Sequence, residues 1–269
     1  MTGTLYLVAT PIGNLQDITL RALETLKSVD IIACEDTRHT LKLLNHYDIR
    51  KPLISYYKGT EYESADRIIE QLNSAKNVAL VSDAGMPCIS DPGSILVAKL
   101  IEQGLKYTVI PGACAFVSAL TLIGVDGHFT FLGFLPEKNK DKDRLLDEYK
   151  SLSSKLVFYS APHDINKTLN YLFQKLGSRK VYLVKEITKI HENVIIGTLD
   201  TLRLEQPKGE FVVIVDGVIE VKKEPTSEEI KRELTLVMSN GIDKKQAILD
   251  VSNKLGIGKN AVYKVAIDL

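Results

Sequence analysis

Short apolar runs alternate with amphipathic stretches along most of this chain. Residues 5–9, 30–34, 53–56, 78–81 and 107–110 each read as a strand, a few apolar or β-branched residues bounded by turn residues. Ala22, Leu23, Leu26 and Val29 fall on one helix face, with Asp17 placed to cap it. Residues 61–72 and the run from Ile95 also have helical spacing. Strands alternating with helices predict a parallel sheet whose polar residues gather at the strand ends. Residues 113–123 predict a helix of small and apolar residues, buried on most sides. The pattern restarts at 129–136, and strands at 155–159, 181–184 and 211–215 predict a second sheet of mixed direction with helices.

From Val221 the composition turns to Lys, Glu, Pro, Thr and Ser, which predicts a linker and a helix start capped at Ser227. Residues 246–255 and 260–265 read as helices around a Gly256-Ile257-Gly258 turn, the spacing of a helix-turn-helix. The division expected is an α/β domain at 1–116, a second at 117–220, and a linker with a helical extension at 221–269.

Lys and Arg number 34 and Asp and Glu 34, so no global field points to a nucleic-acid partner. Lys138, Lys140, Lys142 and Arg144 sit in and after a charged stretch at 137–143, expected as a solvated loop before a helix. No apolar run approaches the ~18 residues of a membrane span. Cys34, Cys88 and Cys114 lack CxxC spacing, and the histidines show no HxxxH pair, which points to a reduced, cytoplasmic protein without a metal.

The chemistry gathers in loops. Ser82 to Gly93 follows a buried strand, precedes a helix, and holds two glycines, two prolines, Asp83 and Asp91. In an open α/β sheet, loops at the carboxyl ends of strands carry ligands. A second glycine-bearing loop runs from Pro111 to Ala115, and a first breaks the chain at Thr10-Pro11-Ile12-Gly13-Asn14. The first loop has neither GxGxxG nor GxxxxGK[ST], which counts against a dinucleotide or P-loop phosphate cradle.

TPIGNLQDIT at 10–19, CEDTR at 34–38, the 82–93 loop, the Pro111 loop, FLGFLP at 131–136 and KGEF at 208–211 occur in family order. With them the chain resembles the ribosomal RNA small subunit methyltransferase I family, in the tetrapyrrole-methylase class of S-adenosylmethionine-dependent enzymes. The resemblance covers roughly residues 4–217. It implies a homodimer of two α/β domains with the donor in the cleft between them. It also implies methyl transfer to the ribose 2′-hydroxyl of a cytidine at the decoding centre of 16S ribosomal RNA, as naked RNA or in the small subunit.

Carried over by motif, donor contacts fall on Ile12, Asp83, Gly85, Met86, Ile89, Cys114, Ala115, Tyr159, Gly209 and Glu210. The family commonly has Thr or Leu where Met86 stands and Pro where Ala113 stands. It has Glu, Ser and Arg where this chain has Ser160, Ala161 and Asp164. A ribose hydroxyl needs a base, and the candidates are Glu35, Asp36, Lys185 and Glu186, with Asp83 also at a strand end. Each has a structural alternative: Glu35 and Asp36 as caps with Arg38 paired to one, Asp83 holding its loop, Lys185 and Glu186 as a surface pair. Arg38 is the candidate RNA phosphate contact. Competing expectations are methylation of a small, tetrapyrrole-like molecule on the same fold, and a non-catalytic RNA-binding or assembly factor.

Overall fold

A computed structural model describes residues 1–218, 225–267 and 269. The apolar runs of the first half form β1 (Thr4–Val8), β2 (Ile31–Cys34), β3 (Leu53–Ser55), β4 (Val78–Val81) and β5 (Lys106–Ile110). They pair in the order β3-β2-β4-β1-β5, all parallel. β2 and β4 are buried at every residue, as strands covered on both faces must be.

The covers are helices. Ala22 and Leu26 of α1 (Leu20–Ser28) and Leu44 of α2 (Thr37–His46) pack with Val8, Ile32 and Ala79. Ile68 and Leu72 of α3 (Glu61–Asn73) and Leu96 and Leu100 of α4 (Ser94–Glu102) pack with Leu5, Ala33 and Leu80. Truncating one of these leucines to Ala costs about 2–5 kcal/mol. From β1 the chain crosses to β2 on one side, and from β4 it crosses to β5 on the other. The neighbours β1 and β4 thus mark the point where the order reverses and a crevice opens.

The second sheet comprises β6 (Phe129–Phe134), β7 (Lys155–Ser160), β8 (Lys180–Lys185), β9 (Asn193–Thr198) and β10 (Phe211–Val215), in the order β6-β7-β10-β8-β9. β6 and β7 are parallel and the other pairs antiparallel, so the sheet is mixed as expected. α5 (Ala115–Leu122) stands between the two sheets in the chain, and α6 (Asn139–Tyr149) and α7 (Ile165–Leu176) complete this half. Both sheets belong to one compact unit, Met1–Val218.

Several local expectations change. Thr19, not Asp17, caps α1, its hydroxyl accepting from Ala22 N at 3.0 Å; Asp17 ends a short 3-10 turn, Leu15–Asp17. α5 is less buried than its composition predicts: Val117 and Leu122 are about half exposed. The charged stretch from Asn139 is helix rather than loop, because buried Leu146 anchors α6 and Asp141 suits its first turn. β9 lies at a sheet edge with half-exposed residues, so it lacks the buried run that marks the other strands.

The second compact unit, Ile219–Leu269, holds α8 (Ser227–Ser239), α9 (Lys244–Leu255) and α10 (Lys259–Ala266) around Leu234, Ala247, Val251 and Val262. Thr226 rather than Ser227 caps α8, in a reciprocal capping box with Glu229. Gly256 closes α9 in the left-handed conformation at φ 63°, giving the helix-turn-helix spacing. The linker expected from 221 begins at 221–224, outside the described residues. Among the described residues, no helix is long and apolar enough to cross a membrane.

Candidate active site

At the reversal point two loops are stitched together. Thr10 N donates to Gly85 O at 2.9 Å, and Gly85 N donates to Thr10 O at 3.1 Å. Thr10 Oγ1 donates to Ser82 O, and Ser82 Oγ to Gly85 O. Thr10 and Ser82 are buried, so these bonds satisfy groups that would otherwise be costly. A Cβ on Gly85 would lie 3.2 Å from Ile12 Cγ2 and 3.5 Å from Ala113 O, which shows how closely three loops approach. Further along the central loop Cys88 and Ser90 hold φ of 69° and 67°, a conformation non-glycine residues keep only when their surroundings enforce it.

The second sheet supplies the facing edge. Because β10 is antiparallel to β7 and β8, its first residue, Phe211, lies beside Ser160 and Lys185, where those strands end. Residues 159–162, 185–189 and 209–212 therefore share one edge. Together the two sets of loops enclose a cavity of about 450 Å³, within the range of small-ligand sites.

The cavity brings together most of the residues singled out by sequence. Ile12, Asp83, Gly85, Met86, Ile89, Cys114, Ala115, Tyr159 and Glu210 are on its wall, as are Glu35 and Glu186. Gly209 is off the wall and lies against the Glu186 side chain instead. Lys185 is off the wall too. Asp36 is an N-cap: its carboxylate accepts from Arg38 N at 2.8 Å and His39 N at 3.4 Å and pairs with the Arg38 guanidinium at 3.2 Å. The Arg38 hydrogen bonds hold this carboxyl below its usual range. The Arg38 side chain is 88% exposed, so it is open to solvent on the other side of its pair.

Sequence reasoning missed Asp91 and Lys189 as wall residues, along with Phe134 and Ser160. Asp91 stood in the central loop, but nothing local showed that it turns inward. Burial, with Glu35 and Asp83 adding repulsion, pushes its carboxyl up to about 6. Burial, then Asp83, likewise raises Glu35. Among the described residues Lys189 is the wall's one lysine or arginine, and it is tied to Glu186 and Glu210 at 2.9 Å each. Burial lowers the Lys189 ammonium, but these two carboxylates more than offset it. Its hydrogen bond holds Glu186 below its ordinary value.

Three carboxylates, Glu35, Asp83 and Asp91, thus converge, and among the described residues no cation on the wall pairs with them. Tyr159 adds a half-buried ring, edge-on to Phe131 at 5.0 Å and tilted to Phe134 at 5.3 Å. Burial raises its phenol, which stays neutral. A negative wall, an aromatic face and close backbone approach suit a compact cation with an apolar body.

The family described as Tetrapyrrole (Corrin/Porphyrin) Methylases matches residues 4–203. The chain is 43% identical to a Halalkalibacterium halodurans protein named ribosomal RNA small subunit methyltransferase I, over 98% of this chain and 94% of that one. It is 40% identical to a Synechocystis protein of the same name, over 99% and 98%. Among solved structures it is similar to diphthine synthase, with a TM-score of 0.63 at 16% identity over 80% of this chain and 89% of that one, which speaks to the fold.

Proposed function

The chain belongs to the ribosomal RNA small subunit methyltransferase I branch of the tetrapyrrole (corrin/porphyrin) methylases, and we propose that it methylates the ribose 2′-hydroxyl of a cytidine in 16S ribosomal RNA. The acceptor lies at the decoding centre, the donor is S-adenosylmethionine, and the setting is the cytoplasm, where small subunits are made. The observation that carries this reading is the convergence of Glu35, Asp83 and Asp91 on one cavity wall. The cavity's volume, its charge and the Tyr159 ring all fit a sulfonium ligand with an adenosine body.

Bound there, S-adenosylmethionine supplies an electrophilic methyl group and leaves as a neutral thioether. The rest falls to the chain. Gly85 lets backbone approach closely, Met86 and Ile89 line the site from the central loop, and Cys114 and Ala115 line it from the Pro111 loop. Most of the acceleration comes from holding donor and acceptor in line. As the acceptor oxygen gains the methyl group its proton must leave. Glu35 fits that role among the four candidates: it lines the cavity, its carboxylate makes no hydrogen bond among the described residues, and its proton affinity is raised. Glu186 is committed to Lys189 and to Glu210 N.

A homodimer is supported by exposed apolar residues on adjoining elements. Tyr107 and Val109 lie on the edge strand β5, Val117 and Leu122 on α5, and Phe129 on the edge strand β6. Unpaired edges with apolar side chains call for a cover.

The test is transfer of label from S-adenosylmethionine to small ribosomal subunits that lack the modification, with product nucleosides resolved. Label in 2′-O-methylcytidine is expected. A protein that binds the donor yet labels no ribosomal nucleoside overturns the proposal and favours a small-molecule acceptor.

A further inference from the structure

A second cavity of about 450 Å³ adjoins the first and shares Ile12, Asp83, Ala84, Lys189 and Glu210 with it. Its remaining wall comes from the first loop, at Thr10, Pro11, Gly13 and Leu15, and from α2, at His39, Lys42 and Leu43. The two cavities differ in charge. The inner one gathers Glu35, Asp83 and Asp91. The outer one meets Asp83 only at the shared wall, its Glu210 is paired with Lys189, and Lys42 and His39 stand open to solvent.

The basic character continues along α2. That helix, TRHTLKLLNH, has no acidic residue between its Asp36 cap and its end. Arg38, Lys42 and His46 are all exposed and spaced by four, so they form one stripe leading away from the cavity, with His39 beside its start. Basic side chains spaced along one helix face match the phosphates of a nucleic-acid strand, not a small neutral acceptor.

The roof is built to join the two cavities. Residues 186–192 cross from the second sheet to the first loop: the Thr188 hydroxyl donates to the Asp17 carboxylate, and the Lys189 stem lies over Gly13. A Cβ on Gly13 would come within 2.6 Å of Lys189 Cγ and Cε. Glu186 and Thr188 hold φ of 50° and 66°, so the strap is kept in an uncommon conformation by its contacts.

We propose that the outer cavity seats the acceptor nucleotide of a single RNA strand, and that Arg38, Lys42 and His46 carry the phosphates of the flanking nucleotides. This deepens the function proposed above and rests on it. The acceptor ribose enters over the wall of Ile12 and Asp83 that both cavities share, which brings its hydroxyl to the donor side.

The experiment compares the wild-type chain with Lys42→Glu, Lys42→Arg and Lys76→Glu, measuring donor affinity and steady-state methylation of small subunits. Lys76 is exposed beyond the opposite end of the first sheet and serves as the control. Lys42→Glu is expected to raise KM about tenfold or more, with donor affinity and kcat little changed, and to lower the salt slope of RNA binding by ~0.7 per lost phosphate contact. Lys42→Arg restores KM, and Lys76→Glu leaves it alone. A Lys42→Glu protein with wild-type KM and salt slope, on subunits that the wild type methylates, overturns the seat and spares the reaction. A wild-type chain that binds donor and methylates no subunit overturns the reaction itself, and the seat falls with it.

Discussion

Gly209 has no side chain because the Glu186 carboxylate occupies the place: a Cβ there would lie 2.3 Å from the Glu186 carboxyl carbon. The backbone agrees, with φ at 78°. Gly209→Ala is therefore expected to destabilise the chain by about 1–3 kcal/mol and to weaken donor binding, because Glu186 must move off the Lys189 bridge. Thermal unfolding with and without donor measures both. Unchanged donor affinity in a destabilised variant would mean that Glu186 does not shape the cavity.

Asp91 makes the cavity sensitive to pH. Its folded-state value of about 6 lies above the ordinary 3.8, so the folded protein holds this proton more tightly than the unfolded chain does. The cost of the ionised carboxylate is fully present above about pH 6 and is relieved as pH falls through 6 towards 3.8. Without ligand, Asp91→Asn should be more stable than the parent by roughly 1 kcal/mol near neutral pH, after allowing for solvent screening. That advantage should shrink on acidification. The same variant should lose affinity for the cationic donor more than for its neutral thioether product. Equal losses for the two ligands, measured by calorimetry, would contradict a charge role.

Glu35→Gln keeps the size of the side chain and removes the base. The rate of methyl transfer in single turnovers is expected to fall about 10²–10⁴-fold, with a smaller loss of donor affinity. A rate within a few-fold of the parent across the pH range would assign proton removal to another group.

Asp36 and Arg38 separate a structural role from a binding one. Asp36→Ala removes the α2 cap and should cost ~1 kcal/mol in denaturant unfolding, with donor affinity retained. Arg38→Ala should weaken RNA binding and leave donor affinity nearly unchanged. Equal loss of both in Arg38→Ala would show that the guanidinium serves only to hold Asp36.

Much of the fold was legible because its strands are short buried runs, as at Val78–Val81 and Phe211–Val215. The strand order was not, since the neighbours of β1 are β4 and β5, far away in the chain. Asp17 and Thr19 are both good capping residues, and only the backbone path decides which one serves. Motifs picked out residues of the cavity wall from Ile12 to Tyr159. They could not show that Lys189 completes it, because that lysine is placed by Gly13, Glu186 and Glu210, three contacts distant in sequence or set by a bend. Nor could they show the proton affinity of Asp91, which arises from burial among other carboxylates.

The two sheets give the cavity a floor and a roof of different kinds. The floor loops after β1, β2 and β4 each lead from a parallel strand to a helix packed on the same sheet, so a change in their length disturbs the packing of the whole layer. The roof strap joins two antiparallel neighbours, β8 and β9, the second of them a sheet edge. A hairpin tip at an edge can be lengthened or shortened without moving the strands below. The floor of the cavity is thus tied to the core of its layer, while the length of its roof can change at one exposed hairpin tip.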